Sequence, residues 1–186
     1  VSQLLKGEPG TKITIKIKKA ITNEEKTLTF NREEIKIENV PYFGMVNDKI
    51  GYIKLIMFTD NASQEVQDAL KELKKNPNLK GVMLDLRGNG GGLLNEAINI
   101  CNTFVEKGTN IVNTKGKIRE ANFSYATTGK PVDTDIPLAV LTDGGSASAS
   151  EIVSGSIQDL DRGIVIGQNT YGKGLVQVTK PIAYKS

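Results

Sequence analysis

Chemistry in this chain can come from three segments, each following or adjoining a stretch that reads as a β-strand. They are Asp85-Leu86-Arg87-Gly88-Asn89-Gly90-Gly91-Gly92, Gly144-Gly145-Ser146-Ala147-Ser148-Ala149-Ser150-Glu151 and Thr170-Tyr171-Gly172-Lys173-Gly174-Leu175-Val176-Gln177. In the first, strand, glycine loop and helix follow one another, an order in which backbone N–H groups and a helix N-terminus face negative charge. That suits an oxyanion hole or a phosphate cradle, although the spacing matches neither the dinucleotide fingerprint nor the P-loop. A tight turn needing positive φ angles explains the same glycines. In the second segment, a serine on a strand-to-helix turn would expose its hydroxyl, with the next N–H aimed at a carbonyl under attack. Spacing does not choose among Ser146, Ser148 and Ser150, and Ser148 with Glu151 also fits an ordinary capping box. The third segment sets Lys173 between two glycines. Loop lysines are mostly solvated, but this setting lets the backbone pack closely while the amine is directed inward. A desolvated lysine can be neutral near neutral pH, as a general base must be.

The chain contains no histidine. Ser-His-Asp and Cys-His catalysis are thereby excluded, and zinc loses its commonest ligand. Lys173 is the most credible remaining activator of a serine nucleophile. The single cysteine, Cys101, excludes an intramolecular disulfide and falls on the apolar side of an expected helix, as a small core residue does. With 38% hydrophobic and 24% charged residues over 186 positions, the composition is that of an ordinary globular protein. A net charge of +3, spread in short runs such as Lys16 to Lys19 and Lys71 to Lys80, gives no nucleic-acid footprint. No run reaches the roughly 20 apolar residues of a membrane span, and no signal-type segment opens the chain. Val1 to Gly7 reads as interior sequence, so a fragment is expected.

The elements that must position these segments follow from periodicity. Val1 to Lys6 reads as the end of a helix. Lys12 to Lys18 alternates strictly, and a second strand is expected near Lys26 to Phe30; an isolated hairpin is marginal in water, so this unit should belong to a larger domain. After a connector over residues 35–48, strands and helices alternate. Strands are expected at Ile50 to Phe58, Gly81 to Leu86, Pro137 to Thr142, Gly163 to Gly167 and Leu175 to Thr179. Helices are expected at Ser63 to Lys75, Gly92 to Glu106 and Ala149 to Gln158, and a hairpin is the one pattern within the polar stretch Asn113 to Asp135. This repetition predicts an α/β domain with a largely parallel sheet.

Taken in order, Gly51-Tyr52-Ile53, Asp85-Leu86-Arg87 with its glycines, Ser146-Ala147-Ser148-Ala149-Ser150-Glu151-Ile152 and Tyr171-Gly172-Lys173-Gly174 resemble the C-terminal processing peptidases, or tail-specific proteases. The resemblance covers essentially the whole chain. It implies a ClpP/crotonase-like core over residues 49–186, incomplete at its C-terminus, preceded over 1–34 by the C-terminal half of a PDZ domain. It also implies the roles: Ser148 as nucleophile, Lys173 as base, Gln177 orienting the lysine amine from four positions along a strand, and an oxyanion hole from the N–H groups of Ala149 and of Gly92, or else Gly91. Asp85 and Arg87 are read as a structural brace of the glycine loop.

The reaction so implied is acyl transfer on a protein or peptide substrate bound as an extended strand, with no metal, cofactor or nucleic acid, in the bacterial periplasm or cell envelope. Oligomeric state is left open. Two other readings share the fold: a silent peptide- or lipophile-binding module, and a crotonase-type acyl-thioester enzyme, which gives no account of the serine and lysine together.

Overall fold

The computed structural model describes residues 5–34 and 38–177, and the chain divides into two compact units, 1–37 and 38–186. In the first unit, β1 (Lys12–Lys18) and β2 (Glu25–Asn31) pair antiparallel, with Ile13 opposite Phe30 and Ile15 opposite Leu28. The alternation collects the apolar side chains on one face. The other face is polar, closed by a Thr14–Thr29 hydroxyl contact of 3.0 Å and a Lys16–Glu25 ion pair of 2.5 Å. Residues 1–4 of the expected leading helix lie outside the described residues.

The second unit is built on a five-stranded sheet. β3 (Tyr42–Met45) runs antiparallel along one edge, followed in space by β4 (Ile50–Lys54), β5 (Gly81–Asp85), β8 (Leu138–Thr142) and β9 (Ile164–Gly167), all mutually parallel. The stretch read as a connector therefore supplies an edge strand. Helices α1 (Ala62–Leu73), α2 (Leu94–Phe104) and α3 (Ala149–Asp159) make the crossovers, and α2 packs between the other two. Between α2 and β8 the polar stretch forms the hairpin β6 (Asn110–Thr114) and β7 (Phe123–Ala126).

α1 is amphipathic because Ala62, Val66, Ala69, Leu70 and Leu73 recur at helical spacing, and all are buried. Their partners include Ile53, Leu84, Leu86, Ile100, Phe104, Val140, Val153 and Ile157, each buried in one core. Burying each large apolar side chain contributes roughly 1.5–3 kcal/mol before its entropy cost. Cys101 belongs to this core, and burial pushes its thiol up to about 12, so it is no nucleophile at neutral pH.

Several expectations change where the chain finds other partners. The strand from Ile50 ends at Lys54, because after a last bond from Leu55 N–H to Asp85 O the chain takes other partners: Ile56 N–H donates to Asn39 O and Phe58 bridges Gly92. The helix expected from Gly92 starts at Leu94, since Gly92 takes a non-helical positive φ of 152 and bridges Phe58. The strand expected at Leu175 to Thr179 is absent over its described part, 175–177, where the chain leaves two left-handed glycines, Gly172 at φ 77 and Gly174 at φ 57, without joining a ladder.

Candidate active site

The register aligns the carboxyl ends of the parallel strands: Lys54 pairs with Asp85, Asp85 with Leu141, and Thr142 with Gly167. Loops leaving these ends meet on one rim, which is where open α/β sheets place their ligands. The glycine loop follows β5, the serine turn follows β8 and the lysine loop follows β9.

At the root of the glycine loop, Asp85 is buried and Arg87 is bidentate on it, Nε at 3.0 Å and Nη2 at 2.7 Å. The Tyr52 hydroxyl donates to the same carboxylate at 2.5 Å, and Lys54 Nζ lies 3.3 Å from it while donating to the Arg87 carbonyl. Burial opposes ionisation of Asp85, but Arg87, Tyr52 and Lys54 outweigh it and hold the carboxyl well below its usual range. The tyrosine moves the other way, its hydroxyl pushed up by burial and by Asp85.

Asn89 is the hub that sequence reasoning missed. It is fully buried; its side chain donates to Leu55 O at 2.9 Å and accepts from Gly91 N–H at 2.9 Å. Its carbonyl accepts from Ala147 N–H at 3.0 Å and from the Ser150 hydroxyl at 2.8 Å. The only signal for it was its place as the lone side chain among glycines.

The serine turn is fastened from its own side. Asp143 Oδ1 accepts from Gly88 N–H at 2.8 Å and Gly145 N–H at 2.9 Å, and these bonds keep its carboxyl below the usual range. Ser146 is buried and donates to Leu86 O at 2.8 Å. Ser146 and Ser150 thus spend their hydroxyls on carbonyls of the glycine loop. Ser148, between them, is only half-buried and adopts φ 56, ψ −112, a conformation that costs a non-glycine residue of order 1–3 kcal/mol. Strained strand-to-helix turns of this kind present nucleophilic serines.

Gly91 lies against that turn. A Cβ on it would stand 2.8 Å from Ser148 Cβ and 2.9 Å from Ala149 N. Among the described residues, the N–H groups of Gly92 and of Ala149, the first residue of α3, have no acceptor in the protein, whereas Gly91 N–H is taken by Asn89. Of the two glycines the resemblance named, Gly92 is the one whose N–H is not already taken.

Lys173 is half-buried, and its backbone is drawn to the serine turn. Glu151 Oε2 accepts from Ser148 N–H at 2.8 Å and from Lys173 N–H at 3.1 Å, so one oxygen bridges the two residues. Tyr171 N–H adds a bond to Ser146 O at 3.0 Å. Burial opposes the charge on Glu151, but its donors prevail and its carboxyl sits below the ordinary value. Gln177 is not brought in: it is exposed, and the strand that would have aligned it with Lys173 is not formed there.

The model of peptidase family S41 matches residues 49–186. A carboxy-terminal-processing protease of Bartonella bacilliformis is 38% identical over 181 residues, covering 96% of this chain and 41% of that protein. A Staphylococcus aureus protein named as a CtpA-like serine protease is 36% identical over 177 residues, with 95% of this chain and 34% of that protein covered. Among solved structures, the photosystem II D1 C-terminal processing protease superposes with a TM-score of 0.67 at 29% identity, over 92% of this chain and 47% of that one. The chain thus spans less than half the length of these relatives.

Proposed function

The chain belongs to peptidase family S41, and from that premise we propose that it is the catalytic core of a serine endopeptidase in which Ser148 attacks and Lys173 acts as base. The single observation that carries this reading is the fate of the three serines. Ser146 and Ser150 are buried and committed to Leu86 and Asn89 carbonyls, while Ser148 is half-exposed on a strained turn, next to the unbonded Ala149 N–H and tied through Glu151 to the lysine loop.

In the proposed reaction the Lys173 amine takes the Ser148 hydroxyl proton as Oγ attacks the scissile carbonyl. The N–H groups of Ala149 and Gly92 hold the resulting oxyanion, aided by the positive end of the α3 dipole. The lysine returns the proton to the leaving amine, and water hydrolyses the acyl-enzyme through the same base. Gln177 joins the lysine in this scheme once residues 175–177 close into a strand. The substrate is a polypeptide taken as an extended strand and captured near its C-terminus, with residues 1–34 as part of a PDZ-like domain and the cell envelope as the setting.

A fluorophosphonate probe followed by peptide mapping tests the assignment. Label on Ser148 alone is the expected result; label on Ser146 or Ser150, or none on a protein that cleaves peptides, overturns it.

A further inference from the structure

Glu151 has the spacing of an ordinary helix cap, and its bond to Ser148 N–H serves that end. Three further bonds do not. Oε1 accepts from the Thr170 hydroxyl at 2.9 Å and from Gly172 N–H at 2.6 Å, and Oε2 accepts from Lys173 N–H at 3.1 Å. These donors stand 19, 21 and 22 positions away, all in the lysine loop. Gly172 and Gly174 flank Lys173 with positive φ, so the backbone on either side is free to turn and its direction is left to whatever holds the peptide N–H groups. Among the described residues, the one other backbone bond from this loop to the serine turn is Tyr171 N–H to Ser146 O.

We propose that Glu151 is a positioning residue for the reaction: its carboxylate ties the Lys173 loop to the Ser148 turn and so sets the base against the nucleophile. This rests on the Ser148–Lys173 reading. A carboxylate suits the task because every group facing it here is a donor. Glutamine in its place would conserve size but set its NH2 against the Gly172 N–H, or else against the Ser148 and Lys173 N–H groups, and so remove at least one bond of the clasp.

The test uses the full chain carrying Glu151→Gln or Thr170→Val, each alone and combined with Lys173→Ala. Peptide cleavage gives kcat and KM, and the rate of fluorophosphonate labelling of Ser148 gives a readout measurable even in slow variants. Glu151→Gln is expected to lower kcat about 100-fold, with KM within about threefold. Thr170→Val, which removes one bond and keeps the fold even if the first variant does not, is expected to lower kcat about three- to tenfold. Neither should slow labelling further once Lys173 is alanine, because both act through the lysine. The proposal is overturned if Thr170→Val leaves kcat unchanged, or if the substitutions slow labelling equally with and without Lys173. A Lys173→Ala variant as fast as the parent would instead sink the dyad reading and the proposal with it.

Discussion

The serine turn and the lysine loop leave neighbouring strands at the same rim, yet they are built differently. The serine turn is bonded on every side: Asp143 to Gly88, Ser146 to Leu86, Ala147 and Ser150 to Asn89, with Asn89 itself anchored on Leu55. The lysine loop reaches it through Tyr171 and through Glu151, and from Gly174 onward no hydrogen bond holds it among the described residues. Leu175 is 71% exposed. In the proposed mechanism, amides aimed at developing charge need a rigid frame, and the first region has one. Lys173, the proposed base, stands at the end of the bonded stretch, and the chain that follows it has little local stability, the kind that opens and closes most readily.

That contrast can be broken most severely at Gly91. Gly91→Ala adds a Cβ at φ 96 that would stand 2.6 Å from Ala147 O and 2.8 Å from Ser148 Cβ. Peptidase activity should fall more than about 100-fold, with about 2–4 kcal/mol of stability lost in urea unfolding. Next is Asn89→Ala, which strands the Gly91 N–H and the Leu55 carbonyl; a loss of about 2–3 kcal/mol is expected in the same measurement.

Acid should reach the rigid region through Asp85. Its folded value is depressed, so its contribution is complete above the unfolded value near 3.8 and is lost as pH falls below that towards the folded value. Asp85→Asn should therefore lower stability at neutral pH and flatten the decline below about pH 4 in an acid titration of unfolding free energy. The lysine loop should tolerate more. Gly174→Ala meets nothing within 4 Å and carries only the left-handed backbone cost, about 1 kcal/mol. A loss at Gly174 as large as at Gly91 would erase the distinction between the regions.

Much of this was legible because it is local. The apolar run Gly81 to Leu86, the α1 face and the glycine loop each declare themselves within a few residues, and four motifs in order point to one family. What was not legible depends on partners distant in sequence. Spacing left the three serines equivalent and only the resemblance pointed to Ser148; the physical contrast among them rests on the Ser146 bond to Leu86 and the Ser150 bond to Asn89, spanning 60 and 61 positions. Asn89 resembled a turn residue and Glu151 a cap, because their other bonds cross between loops. The short β3 carries only two alternating apolar residues, Phe43 and Met45, and formed because β4 offers an edge. Over residues 175–177, the described part of the strand expected from Leu175, no strand forms for the converse reason: β propensity without a ladder partner does not make one.

The measurement closest to the central claim is cleavage of an unstructured protein with an apolar C-terminus, comparing the parent with Ser148→Ala and Lys173→Ala in the full chain. The account predicts cleavage by the parent and its loss in both variants, with all three equally folded by thermal unfolding. Cleavage that survives either substitution would contradict it.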